Sequence, residues 1–150
     1  MNVNNMGGIR ELAYLLPEDI TEIRRTDDEE VTVILAPSAV WRKLPISIEH
    51  TTVSHLPKDG FEGTVFSHKA HLSIPLGRLN GGLRKQINRI RACGCLIRYT
   101  DNGGTSRLMG DLDYPMTGFR TINPGKKASD YADLALDLRA DLSHDAYLVE

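Results

Sequence analysis

The sequence predicts an α+β domain that is mainly β: an antiparallel β-sandwich or barrel flanked by one helix at about residues 79–92, with an extended arm and loops. Three observations carry that prediction. Residues 64–74 and 134–142 alternate apolar and polar side chains over a full strand length. An Asp-Asn-Gly-Gly segment at 101–104 separates two β-rich runs, and Asn-Gly accepts the positive φ angles of a tight hairpin turn. The window 79–92 carries Leu79, Leu83, Ile87 and Ile90 at spacings of four, four and three, the apolar stripe of a helix. With 150 residues, 41% of them hydrophobic, the chain has the size of one domain, 1–150. Within it, 1–17 reads as an N-terminal arm and 18–150 as a β-rich core with one helix.

Taken in order, Ile9, Leu12, Tyr14, Leu15 and Leu16 occur among few charges before Pro17 interrupts them. This reads as an irregular arm or short element that packs onto another surface, such as a neighbouring subunit. Residues 20–25 fit either a helical turn after Pro17 or the first arm of a hairpin. The acidic cluster Asp27, Asp28, Glu29 and Glu30 follows, and then VTVIL at 31–35, a β-branched strand bounded by Pro37. Ile46, Ile48 and Val53 continue the β pattern, and Pro57-Lys-Asp-Gly60 reads as a turn.

In the strand at 64–74, Phe66, His68, Ala70, Leu72 and Ile74 share one face, and Pro75 and Gly77 close it. Gly81 and Gly82 weaken the first turn of the helix, which moves its regular part towards Leu83, and Gly94 stops it. CLIRYT at 95–100 and TSRLM at 105–109 form the hairpin arms, 116–122 is a further short strand, and 123–127 is a loop. Residues 131–142 carry two periods. Tyr131, Leu134, Leu138 and Leu142 have helical spacing, while Leu134, Leu136, Leu138, Ala140 and Leu142 alternate as in a strand. Five consecutive alternations favour the strand.

The formal net charge is −2, which argues against a surface devoted to nucleic acid or to an anionic membrane. No run of eighteen apolar residues is present, and residues 1–5 have neither the basic flank nor the apolar stretch of a secretory signal. Cys93 and Cys95 are one residue apart, too close for an ordinary disulfide, so a reducing site of synthesis is expected.

Candidate chemistry is sparse. His68 and His71 stand three apart in a strand and so point to opposite faces, which prevents them from sharing a metal. His50, His55 and His144 have no partner at ligand spacing. GRLNGGLR at 77–84 has the glycine spacing of a phosphate loop but lacks its Lys and its Ser or Thr. Asp101, Asp111 and Asp113 suit turns, and Ser143-His144-Asp145 reads as a surface turn. No catalytic residue, metal or cofactor is expected. What remains is charge sorting. Arg84, Lys85, Arg89 and Arg91 crowd the helix, with Arg78, Arg98, Arg107 and Arg120 as extensions, and Asp27 to Glu30 stand apart from them. The readings are a solvated face, a face that docks head-to-tail on the acidic cluster of another copy, or, behind both, a nucleic-acid-binding face.

The block CLIRYTDNGGTSRLMGDLDYP at 95–115, followed by GKKASD at 125–130 and the alternating tail, resembles small structural proteins from the tail or neck region of tailed phages and prophages of Bacteroidales-type bacteria. The resemblance covers about the C-terminal half. The layout is also similar to that of phage tail-tube proteins, in which a β-sandwich or barrel is flanked by one helix and subunits form rings that stack. The resemblance implies a non-enzymatic virion protein of the tail, made in the host cytoplasm. It implies a partner that is the chain itself, in stacked homo-oligomeric rings for which a hexamer is one arrangement. It further implies contacts with other tail or neck proteins, DNA passing through without specific binding, and no membrane. A tail-terminator or head–tail connector ring is the alternative. The arms would be 1–17, 57–63 and 123–127, and the candidate interface residues are Ile9, Leu12, Tyr14, Leu15, Asp27, Asp28, Glu29, Glu30, Arg84, Lys85, Arg89 and Arg91.

Overall fold

The computed structural model of the chain describes residues 8–60, 63–127 and 130–149. Among the described residues, eleven strands and one α-helix occur in the order β1 (Ile9–Leu15), β2 (Ile20–Arg25), β3 (Glu30–Leu35), β4 (Arg42–Lys43), β5 (Thr52–Gly60), β6 (Gly63–Pro75), α1 (Gly81–Cys93), β7 (Leu96–Asp101), β8 (Ser106–Met109), β9 (Thr117–Asn123), β10 (Asp133–Leu142) and β11 (Tyr147–Val149). They form a seven-stranded sheet, β2-β3-β11-β8-β7-β1-β4, and a four-stranded sheet, β5-β6-β10-β9. The mainly β prediction holds, and of its two forms the two-sheet sandwich is the one observed.

The larger sheet is strongly curled, as its own connectivity requires. Only residues 16–19, with a 3-10 turn at Pro17–Asp19, join β1 to β2, which lie sixth and first across the sheet. In a flat sheet those strands would stand about 24 Å apart, five spacings of roughly 4.8 Å. The linker reaches at most about 18 Å. The curl encloses a small apolar core of Leu15, Ile20, Val31, Leu96, Leu108 and Val149. The larger core lies between the two sheets and α1, where Leu12, Tyr14 and Ile97 meet Leu72, Ile74, Leu134 and Leu136, with Leu83, Ile87 and Ile90 of the helix.

Several sequence expectations change here. Ile9–Leu15 is a strand between β7 and β4 and not an irregular arm. Both faces of that strand are covered, so apolar side chains are needed on each and the alternation that marks a half-exposed strand is lost. Residues 1–7 lie outside the described residues. Residues 57–60 are not a turn, because β5 continues to Gly60 and pairs it with Gly63. Pro57 is accommodated because β5 is an edge strand, where its missing N–H breaks no ladder. The proposed arm at 57–63 is therefore the distal part of a paired hairpin, with 61–62 outside the described residues.

The helix begins at Gly81 and not near Leu83. The Asn80 side chain accepts a hydrogen bond from the Leu83 N–H at 2.8 Å, and this cap offsets the two glycines. Residues 20–25 are the first arm of the hairpin β2–β3 and not a helical turn, because the 3-10 turn ends at Asp19 before the strand begins. β10 is a strand throughout, as the alternation indicated. β11, with three residues and no pattern of its own, was not anticipated.

Candidate functional site

Pairing of Gly60 with Gly63 in the β5–β6 hairpin places His55 directly opposite His68 on the face turned towards the larger sheet. His68 is fully buried. Its Nδ1 accepts from the Gly110 N–H at 3.3 Å, so Nε2 carries the proton and donates to the His144 carbonyl at 3.1 Å. Burial pushes the imidazole pKa below its ordinary value of 6.5. His55 bridges two further segments. Its Nδ1 lies 2.6 Å from Asp145 Oδ1, and its Nε2 lies 2.6 Å from the Tyr99 hydroxyl. His144 stacks on Tyr147, with ring centres 4.3 Å apart.

The Asp145–His55–Tyr99 chain has the outline of a proton relay. Tyr99 is only 7% exposed, and burial raises its pKa. The cluster ties together β5, β7 and the link from β10 to β11, and in that sense is a latch. Among the described residues no group of His, Cys, Asp or Glu is arranged to hold a metal.

The sequence left His55 and His144 without partners. The lost signal was the register, because pairing Gly60 with Gly63 fixes His55 opposite His68, whereas a turn at 57–60 does not. His71 does point away from His68, as expected, and its Nδ1 meets Asp137 Oδ1 at 2.6 Å on the outer face of the smaller sheet. Both cysteines are free. Cys93 is exposed, whereas burial pushes the Cys95 thiol up to about 12.

The residues expected at a subunit interface separate into three groups. Ile9, Leu12, Tyr14 and Leu15 are buried within their own chain, so their side chains are not available to a neighbour. Asp27, Asp28 and Glu29 form the exposed tip of the β2–β3 hairpin, with Glu30 half-buried at the start of β3. Arg25 braces that tip by donating to the carbonyls of Asp27, at 3.3 Å, and Asp28, at 3.0 Å. Arg84, Lys85, Arg89 and Arg91 are exposed on α1, and Arg89 pairs with Glu18 of the same chain. No ion pair joins the acidic tip to the basic helix among the described residues.

The outer face of the four-stranded sheet carries a further surface feature. One end is roofed by the stacked rings of His50 and Tyr131, 3.8 Å apart. Under that roof, Ser73 Oγ bonds both Tyr131 and Asp133. Beyond the roof the sheet forms a shallow hollow of about 640 Å³. It ends at β9, an edge strand whose seven residues are all exposed. Phe119 (62%) and Ile122 (53%) are the large apolar side chains among them.

Comparison with family models, with curated proteins and with solved structures finds no match to this chain.

Proposed function

We propose that the chain is a non-enzymatic structural protein of a tailed bacteriophage, which assembles with copies of itself into rings or a tube of the tail that conducts DNA. The observation that supports assembly most directly is β9. Edge strands in monomeric proteins are usually short, charged, bulged or covered, because their unpaired N–H and C=O groups recruit other strands. β9 instead presents seven exposed residues and two large apolar side chains at the margin of a sheet. Lateral pairing or packing of this edge against a neighbour would extend the sheet from subunit to subunit. The phage context rests on the resemblance of residues 95–115 and 125–130 and the alternating tail, and a sandwich flanked by one helix agrees with the layout that the resemblance implies.

Size-exclusion chromatography with negative-stain imaging tests the reading. Rings or short tubes are expected, and Thr121→Lys on β9 should reduce them to smaller species. A compact monomer at every salt concentration overturns it. A single ring that never polymerises would point to the tail-terminator or connector role instead. A second reading is favoured by Arg84, Lys85 and Arg91, which are exposed and paired with no carboxylate among the described residues. Such a face would bind duplex DNA through its phosphates, with affinity that falls steeply as salt rises and is lost on charge reversal at Arg84.

A further inference from the structure

Strand register makes the hollow on the four-stranded sheet chemically specific. Residues directly opposite one another across antiparallel strands share a face, so each transverse row of the outer face can be read from the pairing. One row runs Ser54, Lys69, Arg139, Thr117 across β5, β6, β10 and β9. All four side chains can donate hydrogen bonds, and none is a carboxylate. Lys69 and Arg139 are directly opposed, an arrangement of like charges that weakens a sheet unless an anion is held between them. Arg139 is partly neutralised by Asp141, at 3.2 Å, and Lys69 has no ion-pair partner among the described residues.

The adjacent row runs Thr52, His71, Asp137, Phe119. Its carboxylate, Asp137, lies 2.6 Å from His71 Nδ1 and also lines the hollow, next to the Lys69–Arg139 pair. At the far end of this row Phe119 offers an exposed ring, one strand across and two residues along from Arg139. Those offsets place it about 8 Å from Arg139, from strand spacings of roughly 4.8 Å and rises of 3.4 Å per residue. The two rows bound the hollow, whose floor is the backbone at Ala70, Leu138 and Gly118. Its volume of about 640 Å³ is that of a small-molecule site.

The geometry points to a site for a nucleoside monophosphate, its phosphate held by Lys69 and Arg139 between the hydroxyls of Ser54 and Thr117, and its base stacked on Phe119. The unit can come from a free nucleotide or from one residue of a single strand, and the chemistry recognised is the same. Base stacking on an aromatic side chain is tolerant of base identity, so little preference among bases follows.

The test is a titration of the isotope-labelled full chain, followed by amide chemical shifts, with three probes: AMP, inorganic phosphate and a short oligothymidylate. AMP is expected to shift resonances of Ser54, Lys69, Phe119 and Arg139. Phosphate alone should bind roughly tenfold more weakly, the size of one lost stacking contact. Phe119→Ala and Lys69→Gln, both at exposed positions, should each weaken AMP binding about tenfold while leaving shifts elsewhere in the spectrum in place. Tighter binding of the oligonucleotide at the same residues assigns the site to a strand, and equal or weaker binding assigns it to free nucleotide. Absence of shifts up to about 10 mM of either AMP or oligonucleotide overturns the proposal, as do shifts that both variants leave undiminished.

Discussion

The two sheets of this protein use the same kinds of residues to opposite ends. The seven-stranded sheet buries side chains on both faces. Tyr14 and Ile97 enter the core shared with the smaller sheet, whereas Leu15 and Leu96, their neighbours in sequence, enter the core inside the curl. The four-stranded sheet buries its inner face along β6 and β10, and its outer face mainly at the end around Ser73, Asp133 and Ala135. Along β10, Leu134, Leu136, Leu138 and Leu142 point inward, while Asp137, Arg139 and Asp141 stand on the side that carries the hollow. A sheet covered on both sides is committed to holding the fold. A sheet left open over part of one side keeps a surface to offer, and here that surface runs out to an exposed edge.

That contrast can be broken at four points. The largest effect is expected inside the curl, where Leu96→Ala should cost about 3–5 kcal/mol in denaturant unfolding, because it empties a fully buried site between strands. A cost below about 1 kcal/mol would mean that the curled core is not closely packed. Next is Gly118→Ala on β9. A Cβ at that position would overlap the Asp137 carbonyl of β10, so the edge strand must shift or detach. A loss of about 2–3 kcal/mol is expected, with faster amide exchange confined to β9 and β10. Unchanged exchange there would show that the edge is not held by this close approach.

The third point is the latch between the sheets. His68→Gln should cost about 1–2 kcal/mol by disturbing the bonds to Gly110 and His144. Burial holds the folded-state pKa of His68 below 6.5, so the unfolded chain binds a proton first as the pH falls. The stability this group contributes is fully present above about pH 6.5 and declines as the pH drops through the window below it. Urea midpoints measured from about pH 7.5 to about pH 5.5 should therefore fall more steeply for the wild type than for the variant. Equal slopes would remove His68 from the acid response. The smallest effect belongs to the open face, where Phe119→Ala should change stability by less than about 1 kcal/mol. A larger loss would mean that Phe119 serves the fold and not a ligand or partner.

Legibility in the sequence followed the same division. β6 and β10, each with one partly exposed face, announced themselves by alternation, and so did the stripe of α1. The hairpin β7–β8 was readable because its Asn-Gly turn is a local constraint on φ. β1 was misread for the reason that makes it central, since burial on both faces erases the period. The β5–β6 turn was misplaced because Pro57 and Gly60 carry turn chemistry in isolation, and only the edge position of β5 makes proline tolerable within a strand. With the register displaced, the pairing of His55 with His68 was hidden. The rows of the open face were hidden too, because every transverse neighbour depends on register.

By itself the sequence determined the class of the fold, the helix, the DNGG hairpin and the inward set of the long strands, because each follows from spacing within one segment. The tertiary structure decided the rest: the curl forced by the four residues between β1 and β2, the burial of Ile9 and Leu12 to Leu16 from the supposed arm, the latch of three histidines from distant segments, and the donor row across four strands. Those depend on which strands lie side by side, and a one-residue change of register would turn every one of those side chains to the other face.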